Sequence, residues 1–183
     1  MKKSFTLVEM IIVIGIISLI IPTIFVLIFT IINQQTKVYR LSIVKTDGDY
    51  ILNAISDTIR NNAISIHSAT PPSNNNIICD NVQTVDLLTA IYFLDKNNQW
   101  FGYSFNNGNI SSSSATTTIN LNSVKTLINN FNIGCSRNNP YSYSLVNVSF
   151  DICYKTGANT CSSARANETV TLHYQSTINL KNL

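Results

Sequence analysis

The sequence predicts an α+β chain in which one long N-terminal helix is laid against an antiparallel β-sheet. Three features carry that prediction. An apolar run extends from Phe5 to Ile32 with a single charge inside it, Glu9. Apolar residues then continue at helical spacing well past the run. After "SATPPSNNN" the pattern changes to the alternation of strands.

The run "FTLVEMIIVIGIISLIIPTIFVLIFTII" is long enough to cross a bilayer, because about 20 apolar residues at roughly 1.5 Å each match a hydrocarbon core of roughly 30 Å. Lys2 and Lys3 precede it, and the positive-inside rule keeps that end cytoplasmic. A cleaved secretory signal would have a shorter apolar region ending at small residues. Here Ile31 and Ile32 run straight into Asn33, so no such cleavage is expected beyond the run. Gly15 and Pro22 interrupt the segment. Proline removes a helical hydrogen bond and clashes with the preceding turn, so a kink or local unwinding is predicted between them.

Past the bilayer, Leu41, Val44, Ile51, Leu52, Ile55 and Ile59 recur at three- and four-residue spacings, with Lys37, Lys45, Asp49, Asp57 and Arg60 largely between them. This stripe predicts an amphipathic extension of the same helix over residues 33–67, stopped near His67 by the prolines of "SATPPSNNN". Core packing against the rest of the chain accounts for it. "LLTAIYFLDKNNQWFGYSFNNG" then reads as two strands around a turn at Asp95 to Asn98, and "SYSLVNVSFDICYKTG" with "ETVTLHYQSTINL" as a second antiparallel hairpin. Between them, "TINLNSVKTLINNFNIGC" fits a strand, a short helix or both.

Glu9 needs its own account. A charge at the centre of a membrane helix costs roughly 2.5 to 3.5 kcal/mol, less near an end, and such residues usually have a partner or a function. One reading is that it complements the positive end of its own helix, worth a few tenths to about 1 kcal/mol. The whole phrase favours another. Lys2-Lys3-Ser4 followed by "FTLVEMIIVIGII" resembles the class III signal of type IV pilins and type II secretion pseudopilins.

The resemblance implies a leader, residues 1–4, removed by a membrane aspartic prepilin peptidase between Ser4 and Phe5, with N-methylation of the new Phe5 amine. The family's usual residue before the cut is Gly, where this chain has the small Ser4. It also implies that Glu9 pairs with the Phe5 amine of a neighbouring subunit during assembly, so that two charges costly alone in a low-dielectric bundle neutralise each other. On this reading residues 5–32 form the transmembrane and filament-core helix, 33–67 its amphipathic extension and 68–183 an extracellular β-rich head. The family's filaments allow melting in the Gly15 to Pro22 part of the helix, with the exact proline position varying. The implied partners are other pilin subunits, the peptidase, the inner-membrane assembly machinery and, before assembly, the lipid bilayer. The likeness is specific over the first thirty or so residues and weaker in the strand-rich part.

The chain has 183 residues, which suits one globular domain plus the anchor. Removing residues 1–4 takes away two lysines and leaves 10 Lys and Arg against 9 Asp and Glu, a balance that carries no nucleic-acid signal. All four cysteines, Cys79, Cys135, Cys153 and Cys161, follow the apolar run. Outside the cytoplasm an even set reads as disulfides, with three possible pairings. "CYKTGANTC" places Gly157 where the chain can turn back, which favours Cys153 with Cys161 and leaves Cys79 with Cys135. The spacings match no close C-x-x-C zinc pair.

Catalysis has little support. His67 and His173 stand alone and read as surface or interfacial side chains, and no G-x-S-x-G, phosphate loop or H-E-x-x-H occurs. Asp47-Gly48-Asp49 lies on the predicted helix, where neighbours point apart, so no shared calcium site is expected. Asp95, Asn97 and Asn98 read as turn formers, and the glycan acceptor triplets at Asn109, Asn147 and Asn167 as chance in an Asn-rich chain. No cofactor is expected. The function expected is that of a structural subunit, a minor pilin or pseudopilin acting in adhesion, motility, DNA uptake or secretion. The alternative is a solitary membrane-anchored binding domain.

Overall fold

The computed structural model describes residues 6–157, 160–161 and 169–180. Ser4 and Phe5, the expected processing site, and Asn167 lie outside them. The chain divides into two units, residues 1–39 and 40–183. Within the first, helix α1 (Leu7–Asn62) is unbroken through both Gly15 and Pro22, so the unwinding predicted there is not present in the single chain. Proline deletes one backbone donor, the one that would serve Ser18 O, and the helix continues past it. The hydroxyls in this stretch bond back to the helix, Ser18 Oγ donating to Gly15 O at 2.8 Å and Thr23 Oγ to Ile20 O at 2.7 Å. The same back-bonding hides the hydroxyl protons of Thr30 and Thr36.

In the second unit α1 ends at Asn62, five residues before the predicted stop at His67. Strand β1 (Ser65–His67) takes over instead, pairing with β2 (Ile77–Ile78) and β4 (Ala90–Leu94). Ile66 gains a sheet partner on each side, Ile78 and Phe93, which a further helical turn would forfeit. The prolines follow the strand, across a cis Thr70-Pro71 bond and a 3₁₀ turn at Asn74–Asn76.

The remaining strands are β3 (Gln83–Leu88), β5 (Trp100–Asn106), β6 (Asn109–Ser114), β7 (Thr118–Asn120), β8 (Thr126–Arg137), β9 (Leu145–Tyr154) and β10 (Thr171–Asn179). They form two antiparallel sheets, ordered β2-β1-β4-β5-β6-β7 and β10-β9-β8-β3. The ambiguous "TINLNSVKTLINNFNIGC" is strand on both sides of a loop, β7 and β8. Its alternation is broken by a register shift between Asn129 and Asn132, with Asn130 at φ 51°.

Helix and sheets share one core. Val44, Ile51, Ile55 and Ile59 of α1 are fully buried with Ile91 and Phe93 of the first sheet and Ile133, Phe150 and Ile152 of the second. Burying such a side chain contributes roughly 1.5 to 3 kcal/mol. Leu41 and Leu52 lie at the margin of the stripe, exposed and partly buried respectively. Phe105 stacks on Phe131 at 5.9 Å, and Ile128 N–H donates to Gly108 O at 2.9 Å, joining the sheets to each other.

Candidate assembly helix and its clamped head

Within the first unit every large apolar side chain from Leu7 to Ile32 is between 45% and 76% exposed. Apolar residues occupy the full circumference, the pattern of a helix whose surroundings are lipid or other helices rather than its own domain. Among the described residues this is the one helix long and apolar enough to cross a membrane.

Glu9 sits at the start of that helix in a reciprocal cap. Thr6 N–H and Thr6 Oγ each donate to Glu9 Oε2 at 3.0 Å, and Glu9 N–H donates to Thr6 Oγ at 3.4 Å. This is a capping box, T-x-x-E, which satisfies otherwise orphaned amides at the helix start. The spacing Thr6-Leu7-Val8-Glu9 directly before an apolar run is its sequence signature, and sequence reasoning that considered only the helix dipole missed it. Both bonds go to Oε2, and Oε1 makes none among the described residues.

In the second unit the four cysteines form two bridges. Cys79 joins Cys135 across 56 residues and Cys153 joins Cys161 across 8. The first ties the segment after β2 to the C-terminal part of β8, at the β3 pairing of Val85 with Cys135. The second closes the turn after β9 against Asn129, whose side-chain amide donates to Cys161 Sγ at 3.1 Å.

The other singled-out residues are structural. Asp47 Oδ2 accepts from Ser123 N–H at 3.1 Å and Thr126 Oγ at 2.7 Å, pinning α1 to the loop before β8. Gly48 is required by a close approach: a Cβ there would lie 2.3 Å from the Tyr174 ring. That ring stacks on Phe150 at 5.4 Å and its hydroxyl donates to Lys45 O at 3.1 Å. Burial, then the bond to Asp49, pushes the Tyr174 hydroxyl up to about 12. Asp47 and Asp49 thus serve different neighbours, and among the described residues no cluster of three or more His, Cys, Asp or Glu could hold a metal.

His67 corrects its expectation. It is buried, held between Ser65 Oγ and Asn76 Oδ1 at 2.8 Å each, because the end of α1 at Asn62 carries it into β1 rather than onto the surface. His173 is exposed and meets Asp151 at 2.7 Å. Hydrogen bonds from Asn130 and then His173 hold the Asp151 carboxyl below its ordinary range. Asp95 Oδ1 accepts from the Asn97 and Gln99 amides at 2.8 Å, with Asn98 at φ 56°, as a turn between β4 and β5 demands. Asn109 and Asn147 use their side-chain oxygens within the sheets, accepting from Asn122 and Thr177. Comparison with known protein families, characterised proteins and solved structures returns no match.

Proposed function

We propose that this chain is a structural subunit of a type IV pilus-like or type II secretion filament, a minor pilin or pseudopilin held in the membrane by α1 before it assembles through the same helix. The observation that carries the reading is the anchor: a helix apolar on every side from Leu7 to Ile32, with one carboxylate at its start and one oxygen of that carboxylate without a hydrogen bond among the described residues. It stands directly behind the Lys2-Lys3-Ser4-Phe5 phrase. The N-terminus is cytoplasmic and the disulfide-bonded head extracytoplasmic, the compartment in which such bridges persist. A prepilin peptidase removes residues 1–4, and the Phe5 amine of an incoming subunit reaches Glu9 Oε1 of its neighbour. The contribution of the head lies in adhesion, motility, DNA uptake or secretion.

The test follows Glu9→Gln in cells carrying the assembly machinery. Membrane insertion is retained, since an ion costly in lipid is gone. Recovery in sheared filaments falls severely, because leaving one charge of a buried pair alone costs roughly 3 to 5 kcal/mol. Sequencing of the mature wild-type chain begins at Phe5. Equal filament recovery of Glu9→Gln and wild type would sink the pairing role. A wild-type chain that starts at Met1 and never enters filaments would establish the solitary anchored domain instead.

A further inference from the structure

The loop between β8 and β9, residues 138–144, is fixed at both ends and internally. Arg137 donates to the Asp80 carbonyl and, at 2.7 Å, to Pro140 O. Ser144 Oγ donates to Cys79 O at 2.8 Å, and Leu180 N–H to Ser144 O at 2.9 Å. Inside the loop Ser142 Oγ donates to Asn139 O at 2.8 Å and Tyr141 N–H to Asn139 Oδ1 at 3.0 Å. A loop so tied is ordered before any ligand arrives, which lowers the entropic cost of binding.

Beside it lies a cleft of about 190 Å³ lined by Asn138, Ser142, Tyr143, Leu145 and Asn179. Tyr143 is 57% exposed. Among the described residues no charged side chain lines the cleft, and the Asn138 and Asn179 side-chain amides make no hydrogen bond. Arg137, next to the lining Asn138, is committed to backbone carbonyls. The cleft opens onto a strip of the same chemistry. Leu145 pairs with Asn179, and the next outward rows are Asn147 beside Thr177 and Ser149 beside Gln175. Their alternate neighbours Val146, Val148 and Phe150 are fully buried, which turns these rows outward. Rows two residues apart are spaced by about 7 Å. The first ionisable pair, His173 with Asp151, comes only one row further on.

We infer that this cleft and strip bind a neutral, N-acetylated oligosaccharide. Amides and hydroxyls both donate and accept, as sugar hydroxyls and an acetamido group do. The Tyr143 ring offers a flat apolar face to a pyranose, and Leu145 takes the acetamido methyl. A phosphate, sulfate or uronate would find no free cation among the described residues of the cleft. The inference is independent of filament assembly.

Saturation-transfer NMR on the full chain, in lipid nanodiscs or a detergent without a sugar headgroup, tests it with chitotriose, maltotriose and a heparin tetrasaccharide. Chitotriose receives saturation, strongest at its acetamido methyls, and maltotriose and heparin receive far less. Tyr143→Ala and Asn179→Ala, both exposed sites, each weaken chitotriose roughly threefold to tenfold at unchanged circular dichroism. Absence of chitotriose binding, or binding indifferent to both substitutions, overturns the proposal. Equal binding of maltotriose overturns the acetamido assignment, and preference for heparin overturns the neutral class.

Discussion

Gly48→Ala poses a sharp question, because two effects of known sign oppose each other at one atom. In an exposed helix interior the change stabilises by about 1 kcal/mol, since glycine has the greater conformational freedom to lose. Here the new Cβ would lie 2.3 Å from Tyr174 Cε2 and 2.5 Å from Cζ. The ring must move, and it is held on two sides by its stack on Phe150 and its hydrogen bond to Lys45 O. Losing the stack costs about 0.5 to 1.5 kcal/mol, and losing the bond about as much again. The net expectation is destabilisation of up to about 2 kcal/mol, read by urea denaturation of the full chain in detergent. Tyr174→Ala in the same background removes the obstacle, so the double mutant recovers the helical gain and the coupling is favourable. A Gly48→Ala chain stabilised by the full kilocalorie would refute the close approach of α1 to β10.

The disulfides and the Asp151 cluster supply two further expectations. Loop closure over 56 residues stabilises by about 4 kcal/mol against about 2.5 kcal/mol over 8, so Cys79→Ser with Cys135→Ser lowers the urea midpoint more than Cys153→Ser with Cys161→Ser; equal losses would contradict this. Reductant opens the 153–161 bridge first, because Cys79 and Cys135 are both buried whereas Cys161 is part exposed. The folded Asp151 carboxyl titrates below its unfolded value, so its contribution is present above about pH 4 and lost as pH falls through the folded value. Being solvent-accessible, it is worth at most about 1 kcal/mol. Asp151→Asn flattens that part of the stability curve, and an unchanged acid limb in the variant would assign the loss elsewhere.

Local chemistry made some elements legible in the sequence. The β4–β5 hairpin could be read from the Asp-Lys-Asn-Asn turn between two aromatic runs, and the β9–β10 pairing from clean alternation of Val146, Val148, Phe150 and Ile152. Where alternation fails the sequence is ambiguous: β8 changes phase at Asn129-Asn130, and β3 carries Leu87 at φ 61° and exposed beside its register shift. The division into two sheets was illegible because it depends on which strands remain unpaired to each other, a long-range choice with no local residue signature. Gly48 shows the same limit, since its reason stands 126 positions away in Tyr174. The capping box at Thr6 and Glu9 was within reach of the sequence and needed only the T-x-x-E spacing.

That capping box also bears on how Glu9 can serve two ends. A carboxylate has about four lone-pair positions on two oxygens, and Thr6 draws its two bonds to Oε2 alone. The cap therefore fixes the side-chain rotamer and would lower the cost of the ion in the proposed membrane state, and among the described residues it leaves Oε1 without a bond. A carboxylate oriented in this way loses less side-chain entropy when a cation arrives than a freely rotating one would. In the proposed assembly, local capping and pairing with another subunit's amine would be successive uses of one group rather than rival explanations. Thr6 becomes a positioning residue for Glu9, and the T-x-x-E spacing matters to the proposed assembly as much as the carboxylate does.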